Sequence, residues 1–256
     1  LTADGEQAGA ALYRQSLAAD VVEMGGAEAA EFTKLAETTY RDVNIAYANE
    51  LAAYADELGI DVLQVIDAAN SQPYSHIHRP GIAVGGHCIP VYPRFLLKTA
   101  ENAHLPRIAR EVNDRMPAYA TSLLGEVRGR RVLILGVAYR GGVKETAFSG
   151  AFPLRDALVE AGAHVVAADP LYNADELQAL GFTPWEGEAV DAAVVQADHT
   201  EYRALDKAAL PGVQVVVDGR GVIDPALLPG VSVRRIGRPD DSSGDSGSPL
   251  APGPAS

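Results

Sequence analysis

Apolar residues set the first pattern along the chain. Between Ala27 and Leu58, the positions Phe32, Leu35, Val43, Tyr47, Leu51, Tyr54 and Leu58 recur at helical steps without proline, and the run stops at Gly59. Steps of three and four align residues along a helix, and a glycine just past the end suits a left-handed cap. The pattern predicts one helix of about 30 residues, ~45 Å long. Its apolar positions wrap more than one face, so it needs a partner, and a two-fold dimer is expected. A second helix is expected from the N-cap Asp61 through Val62, Val65, Ile66 and Ala69. Next comes a stretch rich in Pro, Gly and His, from Ser71 to Pro93, and loops this long inside a folded domain usually carry function. Helical periodicity returns from Arg94 to Ala103 and from Pro106 to about Val127.

At Arg128-Gly-Arg130 the period changes. Arg131-Val-Leu-Ile-Leu-Gly136 reads as a buried strand, Ser149 to Ala161 as a helix, and His164-Val-Val-Ala-Ala-Asp169 as a second strand. Asp191–Gln196, Val213–Asp218 and Val231–Ile236 supply three more. The fold class is α/β: an all-helical domain with a long dimerisation helix, then a doubly wound, mostly parallel (Rossmann-like) sheet domain. The expected boundaries are 26–128 for the helical domain and 129–237 for the sheet domain. Residues 238–256 offer almost nothing to bury and read as a disordered tail.

Charge and cysteine count narrow the function. With 34 acidic and 21 basic side chains the formal charge is -13, which repels nucleic acid and anionic lipid surfaces. One cysteine excludes an internal disulfide, and no apolar run long enough for a membrane span or a signal-like N-terminus is present, so a cytoplasmic protein is expected.

In a parallel sheet, ligands bind beyond the C-terminal strand ends. The candidates there are Gly136–Ser149, Asp169-Pro170 and Asp218-Gly-Arg-Gly221. Gly136-Val-Ala-Tyr-Arg-Gly-Gly142 lacks the G-x-G-x-x-G spacing of a dinucleotide turn. Arg140 and Arg220 sit at two strand tips, where they either converge on one phosphate or stand solvated. Cys88, after Gly85-Gly86, is either a nucleophile open to a ligand or a small buried hydrophobe. His76, His78, His87 and Cys88 are zinc-type ligands, but adjacent His and Cys rarely meet one metal and no supporting carboxylate is spaced for it; no metal is expected. Lys34 stands in the middle of the long helix, either snorkelling or serving chemistry. Asn44 and Asn49 lie inside that helix, where asparagine lowers helix propensity, so each is expected to bond something.

Four stretches together resemble the nucleotide-sugar 6-dehydrogenases, the UDP-glucose/GDP-mannose dehydrogenase family: Ala30–Ala46, Pro80–Pro93 with its Gly-Gly-His-Cys-Ile-Pro, Leu135–Arg140, and Asp218-Gly-Arg220. The wording is most similar to the UDP-N-acetylmannosamine branch. The resemblance implies NAD-dependent oxidation of a UDP-sugar at C6 to the uronic acid, with two NAD reduced per turnover, feeding polysaccharide biosynthesis. It covers the family's central and C-terminal domains, and residues 1–25 resemble the last helix and strand of the NAD-binding domain. On this resemblance the chain is an N-terminally truncated enzyme; the alternative is a non-catalytic nucleotide-sugar-binding and dimerising remnant. Cys88 matches the nucleophile that forms a thioester, and Lys34 the lysine that stabilises the oxyanion. Arg140 and Arg220 match residues that grip the diphosphate, and Tyr139 stands beside the uridine. Arg79, Gly81, Gly85 and Gly86 match the loop that cradles sugar and phosphates. Three positions depart from the pattern. Thr38 replaces an asparagine that helps place a water, Tyr92 replaces an aspartate, and Ala147 replaces an arginine that reaches the cofactor.

Overall fold

The computed structural model describes residues 2–100 and 102–238, so the expected tail lies almost wholly outside the described residues. Helix α1, Ala3–Ser16, starts at the N-cap Thr2, whose hydroxyl accepts the Gly5 amide. Leu17–Met24 forms no strand, contrary to the reading of residues 1–25 as a helix followed by a strand. A strand exists only when a neighbour accepts its ladder, and no described segment pairs with this one.

Helix α2 runs from Ala27 to Leu58 and ends on Gly59 at φ 67°, the left-handed cap expected there. Its buried face is small and polar: Thr38, Thr39, Asp42, Ala46, Ala48, Asn49, Ala52 and Ala55. Small residues let the neighbouring helices α4, Tyr92–Thr99, and α5, His104–Ser122, approach closely. Both end earlier than the periodicity suggested, at Thr99 rather than Ala103 and at Ser122 rather than Val127, while α4 starts at Tyr92, inside the expected loop. Helix α3, Val62–Ala69, is capped by Asp61, which accepts the Leu63 amide at 2.8 Å.

The interior of this helical layer holds a charge. Asp42 and Arg110 pair at 2.6 Å with side-chain exposures of 0% and 8%. Asn113 donates to the same Asp42 oxygen at 2.8 Å and to the Asp42 carbonyl at 3.0 Å. Burial raises the Asp42 carboxyl above its usual range, while Arg110 and Asn113 pull it back down.

Five strands form one parallel sheet in the order β2-β1-β3-β4-β5. They are β1 Arg131–Leu135, β2 His164–Ala168, β3 Ala192–Val195, β4 Val215–Asp218 and β5 Ser232–Arg235, with α6 (Ala151–Glu160) crossing from β1 to β2 and α7 (Ala174–Ala179) following β2. Side chains alternate between two cores, as the period of a strand requires. Val132, Ile134, Val194 and Val217 pack with Leu154 and Leu158 of α6, Ala120 of α5 and Ala52 of α2. Leu133, Leu135, Val195 and Val216 face a second core with Tyr202, Leu210 and Leu228, covered by the 3-10 turn Thr200–Ala204 and loops. One buried cluster therefore runs continuously from α2 through the first face of the sheet.

After β5 the chain returns to the helices. The Val62 amide donates to the Gly237 carbonyl at 2.7 Å, and Arg238 Nε donates to Asp61 at 2.8 Å.

Candidate functional site

The strand order reverses between β2 and β3 around β1, and ligands of such sheets bind beyond the strand ends at that point. There a cavity of about 560 Å³ opens between the Arg79–Ile89 segment and the turns after β1, β3, β4 and β5. Five arginines line it, Arg79, Arg140, Arg220, Arg235 and Arg238, against two aspartates, Asp198 and Asp218. A chain of net charge -13 has concentrated positive charge in one hollow.

The five guanidinium groups are not equivalent. Arg79 pairs with Asp67 at 2.7 Å, and Arg238 with Asp61 at 2.8 Å. Arg235 stands 3.7 Å from the buried Asp218 and donates to the Ile223 carbonyl at 2.8 Å. Arg220 donates from Nε to the Gln196 carbonyl at 2.7 Å and from Nη2 to the Tyr139 carbonyl at 3.2 Å. Burial lowers the Arg220 pKa, with Asp198 opposing the shift. Arg140 lies over the Tyr139 ring, 5.6 Å from its centroid, and among the described residues its side chain has no hydrogen-bond or ion-pair partner.

The loop facing the sheet is held by the asparagines of α2. Asn44 donates to the His76 carbonyl at 2.7 Å and accepts the His78 amide at 2.8 Å. Asn49 accepts the Gly81 amide at 2.9 Å and donates to Asn113 at 2.9 Å. Both therefore bond something, as their helix-interior positions suggested. Where the loop meets the strand tips there is no room for side chains: a Cβ on Gly219 would lie 2.2 Å from Ile82, and one on Gly85 3.0 Å from Tyr139.

Cys88 is exposed, which removes its reading as a small buried hydrophobe. Its carbonyl accepts the Tyr92 amide at 2.9 Å at the start of α4, and its neighbour Ile89 lines the cavity. Lys34 Nζ bonds Glu37 at 2.9 Å and sits 5.9 Å from the Tyr92 ring centroid. The Glu37 hydrogen bond raises the Lys34 pKa, partial desolvation works against it, and the fields of Glu37, Cys88 and Tyr92 add to the rise. Thr38 is fully buried and donates to the Lys34 carbonyl at 2.7 Å, so its hydroxyl proton is already engaged within the helix. His87 faces Glu145 at 3.7 Å.

Of the residues singled out in the sequence, the cavity gathers Arg79, Gly81, Gly85, Tyr139, Arg140 and Arg220. Cys88, Lys34 and Thr38 do not line it, and Gly86 is buried beside it with its amide on the Ala147 carbonyl at 3.3 Å. Sequence reasoning missed Asp198, Arg235 and Arg238. Asp198 follows an apolar strand, and Arg235 and Arg238 stand at and just past the end of the expected strand Val231–Ile236, so all three were findable by the rule that served for Asp218.

Fold and site together define a doubly wound α/β protein, with an arginine-lined hollow at its switch point and an exposed thiol loop on a helical layer. The chain belongs to the UDP-glucose/GDP-mannose dehydrogenase family: residues 28–115 match its central domain and residues 133–225 its UDP binding domain. It is 38% identical over 201 residues to the UDP-N-acetyl-D-mannosamine dehydrogenase of Methanocaldococcus jannaschii, covering 77% of this chain and 47% of that protein. To the Pyrococcus horikoshii enzyme of the same name it is 37% identical over 243 residues, covering 90% of this chain and 56% of the relative. The solved structure of UDP-D-ManNAc dehydrogenase from Pyrococcus horikoshii superposes with a TM-score of 0.79 at 33% identity, over 92% of this chain and 58% of that one. The chain spans about half the length of the curated relatives it matches.

Proposed function

We propose that this chain is the substrate-binding and thiol-bearing portion of an enzyme that oxidises C6 of a UDP-sugar, UDP-N-acetylmannosamine in type, to the uronic acid. The observation that carries the reading is the cavity with five arginines at the switch point. Arg140, with no hydrogen-bond or ion-pair partner among the described residues, and Arg220, with Nε and Nη2 already on carbonyls, take the diphosphate, and Tyr139 flanks the base. Arg79, Gly81, Gly85 and Gly86 shape the wall toward the sugar.

Cys88 is the nucleophile of this reading. Its sulfur adds to the C6 aldehyde to form a thiohemiacetal; once that adduct has given up a hydride and a proton and become a thioester, water attacks the carbonyl carbon, the C–S bond breaks and the thiolate leaves with the uronate released. Lys34, held in its charged form, stabilises the oxyanion. Thr38 contributes by fixing the helical turn under Lys34 instead of donating to a water. NAD is the hydride acceptor this function implies. The described residues do not fit it: the glycine turn after β1 lacks the G-x-G-x-x-G spacing, and its Val137, Ala138 and Gly141 amides are engaged by Asp169 and Asp198, so they form no backbone cradle of the dinucleotide type, and a diphosphate here is held by guanidinium groups instead. Only the nucleotide and sulfur chemistry is therefore assigned to this chain.

The working protein is a cytoplasmic homodimer through α2, divided into a helical part at 26–128 and a UDP-sugar part at 129–237, and its uronate product feeds glycan assembly.

Calorimetry tests the nucleotide site. UDP should bind, uridine should bind far more weakly, and Arg140→Ala should cost about 1.5–3 kcal/mol, the scale of a charge-assisted hydrogen bond. Unchanged UDP affinity in that variant would refute the assignment.

A further inference from the structure

The turn after β1 carries Tyr139 and Arg140, and it is held from beneath by side chains that the proposed chemistry does not use. His199 and Asp169 form a buried pair, Nε2 to Oδ2 at 3.2 Å, with side-chain exposures of 1% and 0%. The Gly142 amide points at His199 Nδ1 at 3.4 Å. An amide can only donate, so Nδ1 presents its lone pair and Nε2 carries the proton that Asp169 accepts. The same Asp169 oxygen accepts the amides of Val137 at 2.7 Å and Ala138 at 3.1 Å, and its other oxygen accepts Leu171 at 2.9 Å. Tyr202 meets the imidazole edge-on with centroids 5.5 Å apart, and its hydroxyl donates to the Ala168 carbonyl at 3.2 Å, which fixes the ring plane.

The neighbouring residue completes the support. Asp198 accepts the Gly141 amide at 2.8 Å, and a Cβ on Gly141 would lie 2.2 Å from the Asp198 carbonyl oxygen. The turn thus sits flush on the Asp198-His199 dipeptide. With the Tyr139 amide on the Glu145 carbonyl at 2.9 Å, the amides of Val137, Ala138, Tyr139, Gly141 and Gly142 are all engaged, and Arg140 is presented above them.

We infer that His199, held by Asp169, is a positioning residue of the nucleotide site: it fixes the Gly136–Gly142 turn and so sets where Tyr139 and Arg140 meet the ligand. The inference rests on the reading of the cavity as a nucleoside diphosphate site. A buried imidazole and carboxylate are costly in an α/β core unless each lone pair and proton is satisfied, and an apolar pair would fill the space without that cost. Here their polar atoms are directed at the turn amides instead of into the core. Losing the ring nitrogens would release Gly142 and leave Asp169 free to swing, loosening Val137 and Ala138 with it. A turn that must be ordered on binding gives up affinity to that ordering.

The test compares His199→Phe, which keeps the ring and its contact with Tyr202, with His199→Asn, which returns an amide oxygen at the Nδ1 position. His199→Met, adaptable and apolar, is a second variant without the nitrogens should the phenylalanine not be accommodated. Hydrogen exchange of the 136–143 peptide is read in the ligand-free protein, and UDP affinity by calorimetry. In His199→Phe the peptide should exchange faster while β3 and β4 peptides stay protected, and UDP should bind at least about tenfold more weakly, with His199→Asn recovering most of both. Wild-type UDP affinity in His199→Phe and His199→Met, or His199→Asn no better than they are, would overturn the positioning role. A wild-type protein that binds no UDP, while His199→Phe still accelerates exchange, would instead bring down the nucleotide reading and leave the turn support as structural.

Discussion

Asn49 accepts the Gly81 amide at 2.9 Å, joining the middle of the long helix to the wall of the arginine-lined cavity across 32 positions of chain. The same side chain donates to Asn113, which donates in turn to Asp42, the partner of Arg110. The ligand-facing loop is thereby fastened to a buried ion pair through two carboxamides.

Asn49→Ala should therefore destabilise the protein by on the order of 2 kcal/mol, because it leaves the buried Asn113 oxygen unpaired and frees the half-buried Gly81 amide. Urea unfolding measures it. The 76–82 peptide should lose hydrogen-exchange protection in the same variant.

Gly237 sits at φ 69°, and a Cβ there would lie 2.5 Å from Val62 and 2.7 Å from the Ala52 Cβ. Gly237→Ala should cost about 2–4 kcal/mol, from left-handed backbone strain plus overpacking where the chain after β5 docks on α2 and α3. Thermal melting at matched concentration checks this, with Gly187→Ala as the comparison: its φ is also positive, at 92°, but nothing lies within 4 Å of its Cβ position.

Cys88 should react with iodoacetamide in the folded protein, since the residue is exposed. A bound UDP-sugar should slow the reaction and UDP alone should slow it less, because the sugar and not the nucleotide reaches the thiol. Equal labelling rates with and without UDP-sugar would separate Cys88 from the substrate.

Tyr40, Tyr47 and Tyr54 recur every seven residues on α2 and stay 57%, 51% and 55% exposed. Such a seam is expected to bury itself on a second copy. Tyr47→Glu should shift the sedimenting species from dimer to monomer at micromolar concentration while keeping the helical circular dichroism.

Desolvation of Asp198 pushes its carboxyl up, but the Gly141 and Asp198 amides and the Arg220 charge pull it further, so its net pKa is lowered. A carboxylate with a lowered folded-state value stabilises fully above its unfolded value, ~4, and loses that contribution as pH falls through the folded one. Exchange of the 136–143 peptide should therefore accelerate on acidification below ~pH 4 after correction for intrinsic rates, and Asp198→Asn should flatten that dependence.

The sequence by itself determined α2 to the residue, the Asp61 cap, all five strands and the mostly parallel, doubly wound sheet class. These are local properties: three- and four-residue periodicity, a glycine able to adopt φ 67°, and short β-branched runs between turns. Tertiary structure alone decided which face of α2 is covered. The apolar residues that revealed the helix, Phe32, Tyr47, Tyr54 and Leu58, remain exposed, while alanines, threonines, Asp42 and Asn49 are buried, because close helix approach favours small residues and Arg110 and Asn113 both bond one Asp42 oxygen, offsetting part of the cost of burying it. The site follows the same division. Arg140 and Arg220 were legible at strand tips, but their meeting with Asp198, Arg235 and Arg238 in one hollow depends on the strand order, and that the Thr38 hydroxyl bonds a carbonyl one turn back is seen only in the structure. A helix bonds within itself and so is written in neighbouring residues; strand order and the meeting of five guanidinium groups are set by contacts between distant parts of the chain, which no local window contains.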